Sequence, residues 1–371
     1  MSKRKKTIIF IRRFALRGLI LIPLLGILAF VGMVIPKPVT NQEYIFSKQF
    51  NGRSFVNEEG KISYSAFWDF LRWQSYEFKN KWPQKVPNLH EPQLAKNIKK
   101  GEVVVTFINH ATFLIQTQEL NILTDPVFAT RVSPFKWVGP KRVHPPGIPL
   151  KKLPRIDMIL ISHNHYDHLD LSSLKKIAKK YKPHIYVPLG DKGWLRKSGL
   201  KNVQEMDWWQ SLTQKGHTVH FLPAKHNSGR SLVSENSSLW GSFLIELPNG
   251  AKLYFAGDTA YSEHFKKISD TFGPMDLSFL PIGAYLPRDV LKDIHMDPDD
   301  AVLAHIDLAS RYSVAMHFGT FQLSDESYWD PLIDFNKAII IHQVPESQFR
   351  LPGAGQTLKF NLGPKINKKD Q

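Results

Sequence analysis

The chain predicts an α/β fold, and three observations carry the prediction. Short β-type runs with polar breaks, Val103–Ile108, Thr112–Thr117 and Leu120–Thr124, read as a meander of strands. Further on, strand-like and helix-spaced runs alternate: Met158–Ile161, Leu171–Tyr181, then His184–Val187. Several of the apolar runs end in histidine or aspartate, at the sheet edge where α/β proteins carry their chemistry. The 371 residues suffice for one large domain or two smaller ones. Cysteine is absent, which excludes disulfides, thiolate zinc sites, iron–sulfur clusters and thiol nucleophiles together.

The net charge of +16 is unevenly placed. Lys3, Arg4, Lys5, Lys6, Arg12, Arg13 and Arg17 supply seven positive charges in residues 1–17, leaving +9 over the rest. A basic tail (1–17) beside the uncharged apolar run Gly18 to Ile35 reads as a membrane-topology signal rather than a nucleic-acid arm. That run lies at the lower edge of bilayer-spanning length, roughly 17–25 residues. A cleaved signal peptide is the competing reading, but no small-residue cleavage site stands before Pro36. A retained single-pass anchor at 18–35 is therefore expected, with the rest of the chain on the periplasmic face if the source is bacterial.

Residues 36–100 form an N-terminal extension in which Tyr64 to Phe78 has the apolar spacing of an amphipathic helix. The main folded domain, which carries the strand and helix runs, is expected over 101–345, and a C-terminal strand and tail over 346–371. After the meander, Asp125-Pro126 ends the third strand, and the proline-rich loop Arg131 to Leu153 is long enough to shape a site. Asp170 is placed to cap the basic amphipathic helix Leu171–Tyr181, and Leu189–Gly199 reads as a turn and helix.

The most informative stretch is Ile161 to Asp170. His163, His165, Asp167 and His168 follow the buried-strand run Met158–Ile161, and imidazole with carboxylate is a donor set that suits zinc. Distal donors are then needed. His226 follows the strand Thr218–Leu222 and sits in a polar loop, with His217 and His220 as rivals at the start of that strand and within it. Asp258 follows Leu253–Gly257, where a turn or cap aspartate is the alternative, and His317 ends the run Ser313–Met316 before Phe318-Gly319.

His163-x-His165-x-Asp167-His168 followed by His226, Asp258 and His317 resembles the metallo-β-lactamase superfamily. Leu123–Phe128, Val138–Arg142, Asp207-Trp208-Trp209, Phe255–Thr259, Pro281–Tyr285 and His317–Phe321 resemble one branch of it, the N-acylphosphatidylethanolamine-hydrolysing phospholipase D family. The resemblance implies an αββα sandwich with two Zn2+ per chain. His163, His165 and His226 would hold one zinc, Asp167, His168 and His317 the other, and Asp258 would bridge. It further implies phosphodiester hydrolysis that yields phosphatidic acid and an N-acylethanolamine, with a water shared by both cations as nucleophile.

Asp258 and His295 are the expected catalytic residues. His295 matches a site-proximal family histidine, with a capping or packing role as the alternative. Lys136, Trp137, Tyr285 and Arg288 are substrate-binding candidates, although Lys136-Trp137 departs from the Gln-Tyr pair of the mammalian enzyme and Arg288 reads first as a plain surface arginine. Trp208 and Trp209 read as core, and His110 and Thr259 as groups that orient ligands. Expected partners are a membrane phospholipid, the bilayer through the N-terminal helix and a second copy of the chain as homodimer, with no nucleic acid. Two other readings stay open: a lactonase or small cyclic-phosphodiester hydrolase of the same superfamily, and a membrane-anchored, non-catalytic zinc-binding protein.

Overall fold

The computed structural model describes residues 44–59, 80–214, 216–231 and 234–363. The expected anchor at 18–35 and amphipathic helix at 64–78 lie outside the described residues, among which no helix is long and apolar enough to cross a membrane.

Two seven-stranded sheets make the fold. In the first, β1 (Glu102–Asn109), β2 (Thr112–Gln116) and β3 (Asn121–Thr124) form the antiparallel meander. Parallel pairing continues through β4 (Met158–Leu160), β5 (His184–Pro188) and β6 (Val203–Met206). The second sheet repeats the plan. β7 (Gln210–Gln214), β8 (His217–Leu222), β9 (Ser242–Glu246) and β10 (Lys252–Phe255) are antiparallel. β11 (Leu277–Pro281), β12 (Tyr312–Met316) and β13 (Phe349–Arg350) then add in parallel. Antiparallel neighbours are joined by short turns, whereas the longer crossovers needed by parallel strands carry the helices. β14 (Thr357–Asn361) pairs with β1 and closes the edge of the first sheet.

Strand periodicity sorts the side chains into two layers. Val103, Val105 and Phe107 of β1 join Phe113, Phe243 and Phe279 between the sheets, while Leu114, Leu123, Ile159 and Ile161 lie on the other face with Leu174 and Ile177. Met158 and Leu160 point one way and Ile159 and Ile161 the other, so a strand covered on both faces reads as an unbroken apolar run. Leu174 and Ile177 belong to α1 (Leu171–Tyr181), whose first turn is capped by the Asp170 carboxylate accepting from the Ser172 and Ser173 amides. The turn-and-helix segment after β5 contains α2 (Lys192–Lys197). In the second sheet's crossovers lie α3 (His264–Phe272), α4 (Arg288–Leu291), α5 (Pro298–Asp307) and α6 (Asp330–Ile341). Tyr44, Phe50 and Phe55 of the N-terminal extension are buried and join the larger of the apolar clusters.

Candidate metal centre

The seven donors expected from the sequence converge. His163 to His168 follow β4, His226 follows β8, Asp258 follows β10 and His317 follows β12, so both sheets deliver donors from strand exits to one edge. Asp258 Oδ2 is the hub. It lies 3.1 Å from His168 Nε2, 3.0 Å from His317 Nε2, 3.9 Å from His226 Nε2 and 4.0 Å from His163 Nε2. On one side His165 Nδ1 is 2.9 Å from His163 Nε2 and 3.4 Å from His226 Nε2. On the other, Asp167 Oδ2 is 3.4 Å from His168 Nε2 and 3.5 Å from His317 Nε2. His217 and His220 take no part: His220 meets Ser211 and Glu246, and His217 Nε2 lies 4.0 Å from Glu119.

Hydrogen bonds behind the rings decide which nitrogen faces inward. His168 Nδ1 donates to Asp125 Oδ2 at 2.7 Å, His163 Nδ1 to Ser162 Oγ at 2.9 Å and His226 Nδ1 to the Ile294 carbonyl at 2.8 Å. Ser162 Oγ in turn donates to Asp125 Oδ2 at 2.6 Å, and the Ser162 amide to Asp125 Oδ1 at 2.8 Å. Each ring therefore turns its Nε2 lone pair toward the cluster. His110 Nε2 lies 2.9 Å from Asp167 Oδ2, with its ring centroid 3.9 Å from that of His317. Thr259 Oγ1 accepts from the Lys225 amide at 2.9 Å and so ties the His226 loop to the Asp258 loop.

The electrostatics fit a divalent-cation site. Burial, then neighbouring imidazoles, pushes His165 down to about 3, and burial holds His226 at about 4 and His163 well below its ordinary value. Burial also opposes charge on His168 and His317. The Asp258 and Asp167 carboxylates nevertheless hold His168 well above its ordinary value and His317 at about 9. Asp258 and Asp167 stay far below the usual carboxylate range despite burial, chiefly through His168. A cluster that recruits protons in this way is one that demands positive charge. Its geometry agrees: His168 Nε2, His317 Nε2 and Asp258 Oδ1 are buried without a hydrogen-bond partner. His, Asp and no sulfur is a donor set that suits zinc and other first-row divalent ions.

The remaining candidates are spread out. His295 aims an unpartnered Nδ1 at Asp258 Oδ2 from 3.9 Å. Tyr285 is buried and its hydroxyl donates to Asp334 Oδ2 at 2.7 Å. The Arg288 guanidinium, expected either at a phosphate or free on the surface, bonds Asp300 at 2.7 Å, Asp297 at 3.2 Å and the His295 carbonyl at 2.9 Å. Lys136 is exposed, and Trp137 is 77% exposed with its ring 5.4 Å from Phe135. Trp208 is buried as expected. Trp209 is not: at a left-handed turn position it stays 40% exposed, stacked against Phe272.

Sequence reasoning missed Asp125, Ser162 and Asn57, which touch the ligands rather than the cluster centre. Asp125 had a signal, since it too is an aspartate at a strand exit. Arg230 had none. It is half-buried, its Nη1 donates to the Asn164 and Leu169 carbonyls at 2.7 and 2.9 Å, and it braces the metal loop at both ends.

Two facing mixed sheets with a His/Asp cluster at one edge define a metal-dependent hydrolase of the metallo-β-lactamase type. The family model described as the Beta-lactamase superfamily domain matches residues 120–318, and the chain belongs to that family. An uncharacterised protein of Mycobacterium tuberculosis is 37% identical over 294 residues, 77% of this chain and 78% of that one. The N-acyl-phosphatidylethanolamine-hydrolyzing phospholipase D 1 of Caenorhabditis elegans is 38% identical over 236 residues, 60% of this chain and 66% of the worm protein. Among solved structures, an isothiocyanate hydrolase from Delia radicum gut bacteria superposes with a TM-score of 0.56 at 20% identity, covering 70% of this chain and 99% of that one. That likeness concerns the fold.

Proposed function

We propose that the chain is a two-zinc phosphodiesterase that cleaves N-acylphosphatidylethanolamine at the headgroup side, releasing an N-acylethanolamine and phosphatidic acid. The observation that carries the reading is Asp258 Oδ2, one carboxylate oxygen within 4.0 Å of His163, His168, His226 and His317. The likeness to the worm phospholipase supports the substrate class.

In this reading His163, His165 and His226 hold one cation, Asp167, His168 and His317 the other, and Asp258 is shared. Such a pair, when bound, ionises water near neutral pH and neutralises charge on phosphoryl and leaving oxygens. Asp125, Ser162 and the Ile294 carbonyl fix ring orientation in advance, and His295 offers a free ring nitrogen to the phosphate or the departing oxygen. The exposed Lys136-Trp137 tip suits a substrate resident in a bilayer, since lysine and tryptophan are the side chains that sit at lipid–water interfaces. An anchor at Gly18 to Ile35 would keep the chain on the same membrane.

The test is to purify the full chain in detergent, count bound metals and follow cleavage of N-acylphosphatidylethanolamine by product mass. Two zincs and release of N-acylethanolamine are expected, and Asp258→Asn should remove turnover while leaving the fold intact. Hydrolysis of soluble lactones or cyclic phosphodiesters with no action on the phospholipid would overturn the substrate assignment. Near-normal turnover by Asp258→Asn with full metal loading would overturn the shared-ligand role.

A further inference from the structure

We propose that Asn57, from the extension that precedes both sheets, is a positioning residue for the metal centre and governs its His163–His165–His226 half selectively. The inference rests on the two-cation reading above. Asn57 lies upstream of the residues matched by the family model. Its side chain is buried and makes a two-point clamp on one ligand residue: Oδ1 accepts from the His226 amide at 3.1 Å, and Nδ2 donates to the His226 carbonyl at 2.9 Å. Oδ1 also accepts from Trp240 Nε1 at 3.1 Å, which fixes the rotation of the amide.

A clamp matters at this position because His226 has left β8 and lies outside any strand: the isolated bridge between Lys225 and Ala260 stops one residue short, and the His226 N–H and C=O bond Asn57 instead. Without Asn57 the His226 N–H and C=O are both buried and lose their partners, and the loop must shift to recover them. The Ile294 bond fixes which ring nitrogen faces the cluster, while Asn57 fixes where the ring starts from. The clamp is itself anchored. Phe55 is fully buried with its ring 5.1 Å from Phe50, its amide donates to the Asn236 carbonyl at 2.8 Å, and Glu58 pairs with Lys267 at 2.8 Å.

The other half of the centre is held from elsewhere. The His317 amide donates to the His110 carbonyl and the His168 ring to Asp125, neither of which Asn57 touches. Loss of the Asn57 amide should therefore divide the two cation sites rather than loosen both.

The experiment titrates the metal-free full chain with zinc against a chelating competitor, and repeats it with cobalt, whose absorption reports coordination. Asn57→Ala should weaken one of the two sites by about 10–100-fold and leave the other within about twofold of wild type. Asn57→Asp, which keeps the acceptor but loses the donor to the His226 carbonyl, should weaken the same site and carries the test if the alanine variant does not fold. Phe360→Leu, a buried packing change on β14 opposite Val103 at the start of β1, should lower the melting temperature and leave both affinities unchanged. Equal weakening of both sites, or no weakening in a folded Asn57 variant, overturns the proposal. Wild-type protein that binds one cation, with affinity still dependent on Asn57, would refute the two-cation reading and retain the positioning role.

Discussion

Replacing Asp125 by asparagine tests whether the metal centre depends on a buried carboxylate that touches no cation. The change is isosteric and leaves the covalent framework in place. It converts one acceptor oxygen into a donor at a position where three donors arrive: His168 Nδ1 at 2.7 Å, Ser162 Oγ at 2.6 Å and the Ser162 amide at 2.8 Å. With the new NH2 toward His168, the ring must accept at Nδ1 and carry its proton on Nε2, the atom that faces Asp258 and Asp167. With the NH2 turned away, it meets the Ser162 amide donor to donor. Either orientation removes a charge-assisted hydrogen bond, at about 1.5–3 kcal/mol, which is roughly 10–150-fold in an equilibrium constant. The expected outcome is that much weaker zinc binding at the Asp167–His168–His317 site, with a loss at the other site as well, because Ser162 Oγ joins the same Asp125 Oδ2 to the His163 ring. Competition titration on the purified full chain gives the affinities, and circular dichroism checks the fold. A folded Asp125→Asn protein with both zinc affinities within about twofold of wild type would refute the reasoning.

Two further outcomes follow from other parts of the structure. Glu205 is held by burial at about 7, against an ordinary 4.5, with the Lys192 amide bonded to it at 3.0 Å. Its folded state prefers the protonated form, so stability is full below about 4.5 and falls as pH rises through about 7. Glu205→Gln should match wild type in urea unfolding at pH 4.5 and exceed it by up to about 3 kcal/mol at pH 8; a pH-independent difference would contradict this. At Gly283 an added Cβ would stand 2.1 Å from the His317 carbonyl oxygen, a backbone atom that a rotamer change does not move. Gly283→Ala should therefore cost more than about 3 kcal/mol or displace His317 and empty its cation site; a stable variant with two zincs bound would count against that close approach.

What the sequence disclosed and what it withheld divide along physical lines. The strands were legible because β4 is buried on both faces and β1 packs an alternating face between the sheets, and both patterns survive in a linear chain. The donors were legible because histidines clustered after a hydrophobic strand are costly unless something uses them. The supports behind the donors were not. Asn57 lies in a polar stretch whose periodicity carries no signal, and only the fold brings it beside His226. Arg288 is ambiguous as a residue type: a guanidinium suits phosphate, carboxylate and carbonyl equally, and its actual neighbours come from α5 and the His295 backbone. The turn after β6 let Trp209 look like its neighbour Trp208, although one faces Phe272 at the surface and the other donates to the Trp240 carbonyl in the core.

The same division explains where the backbone is strained. His110, Asp125 and His317 all adopt left-handed backbone angles, with φ of 49°, 30° and 60°, and all three stand at strand ends around the cluster. A strand that simply continued would carry each side chain up or down the sheet, not across its edge. Turning the chain sharply at the exit brings ring and carboxylate inward, at a cost of order 1–3 kcal/mol per residue. That cost is borne at three positions by the surrounding layer of buried aromatic and aliphatic side chains. Gly257, with φ of 62° and no room for a Cβ against Ser162, makes the equivalent turn without strain immediately before Asp258. The donors are thus aimed by the strand exits themselves, and segments distant in sequence meet at one edge of the fold.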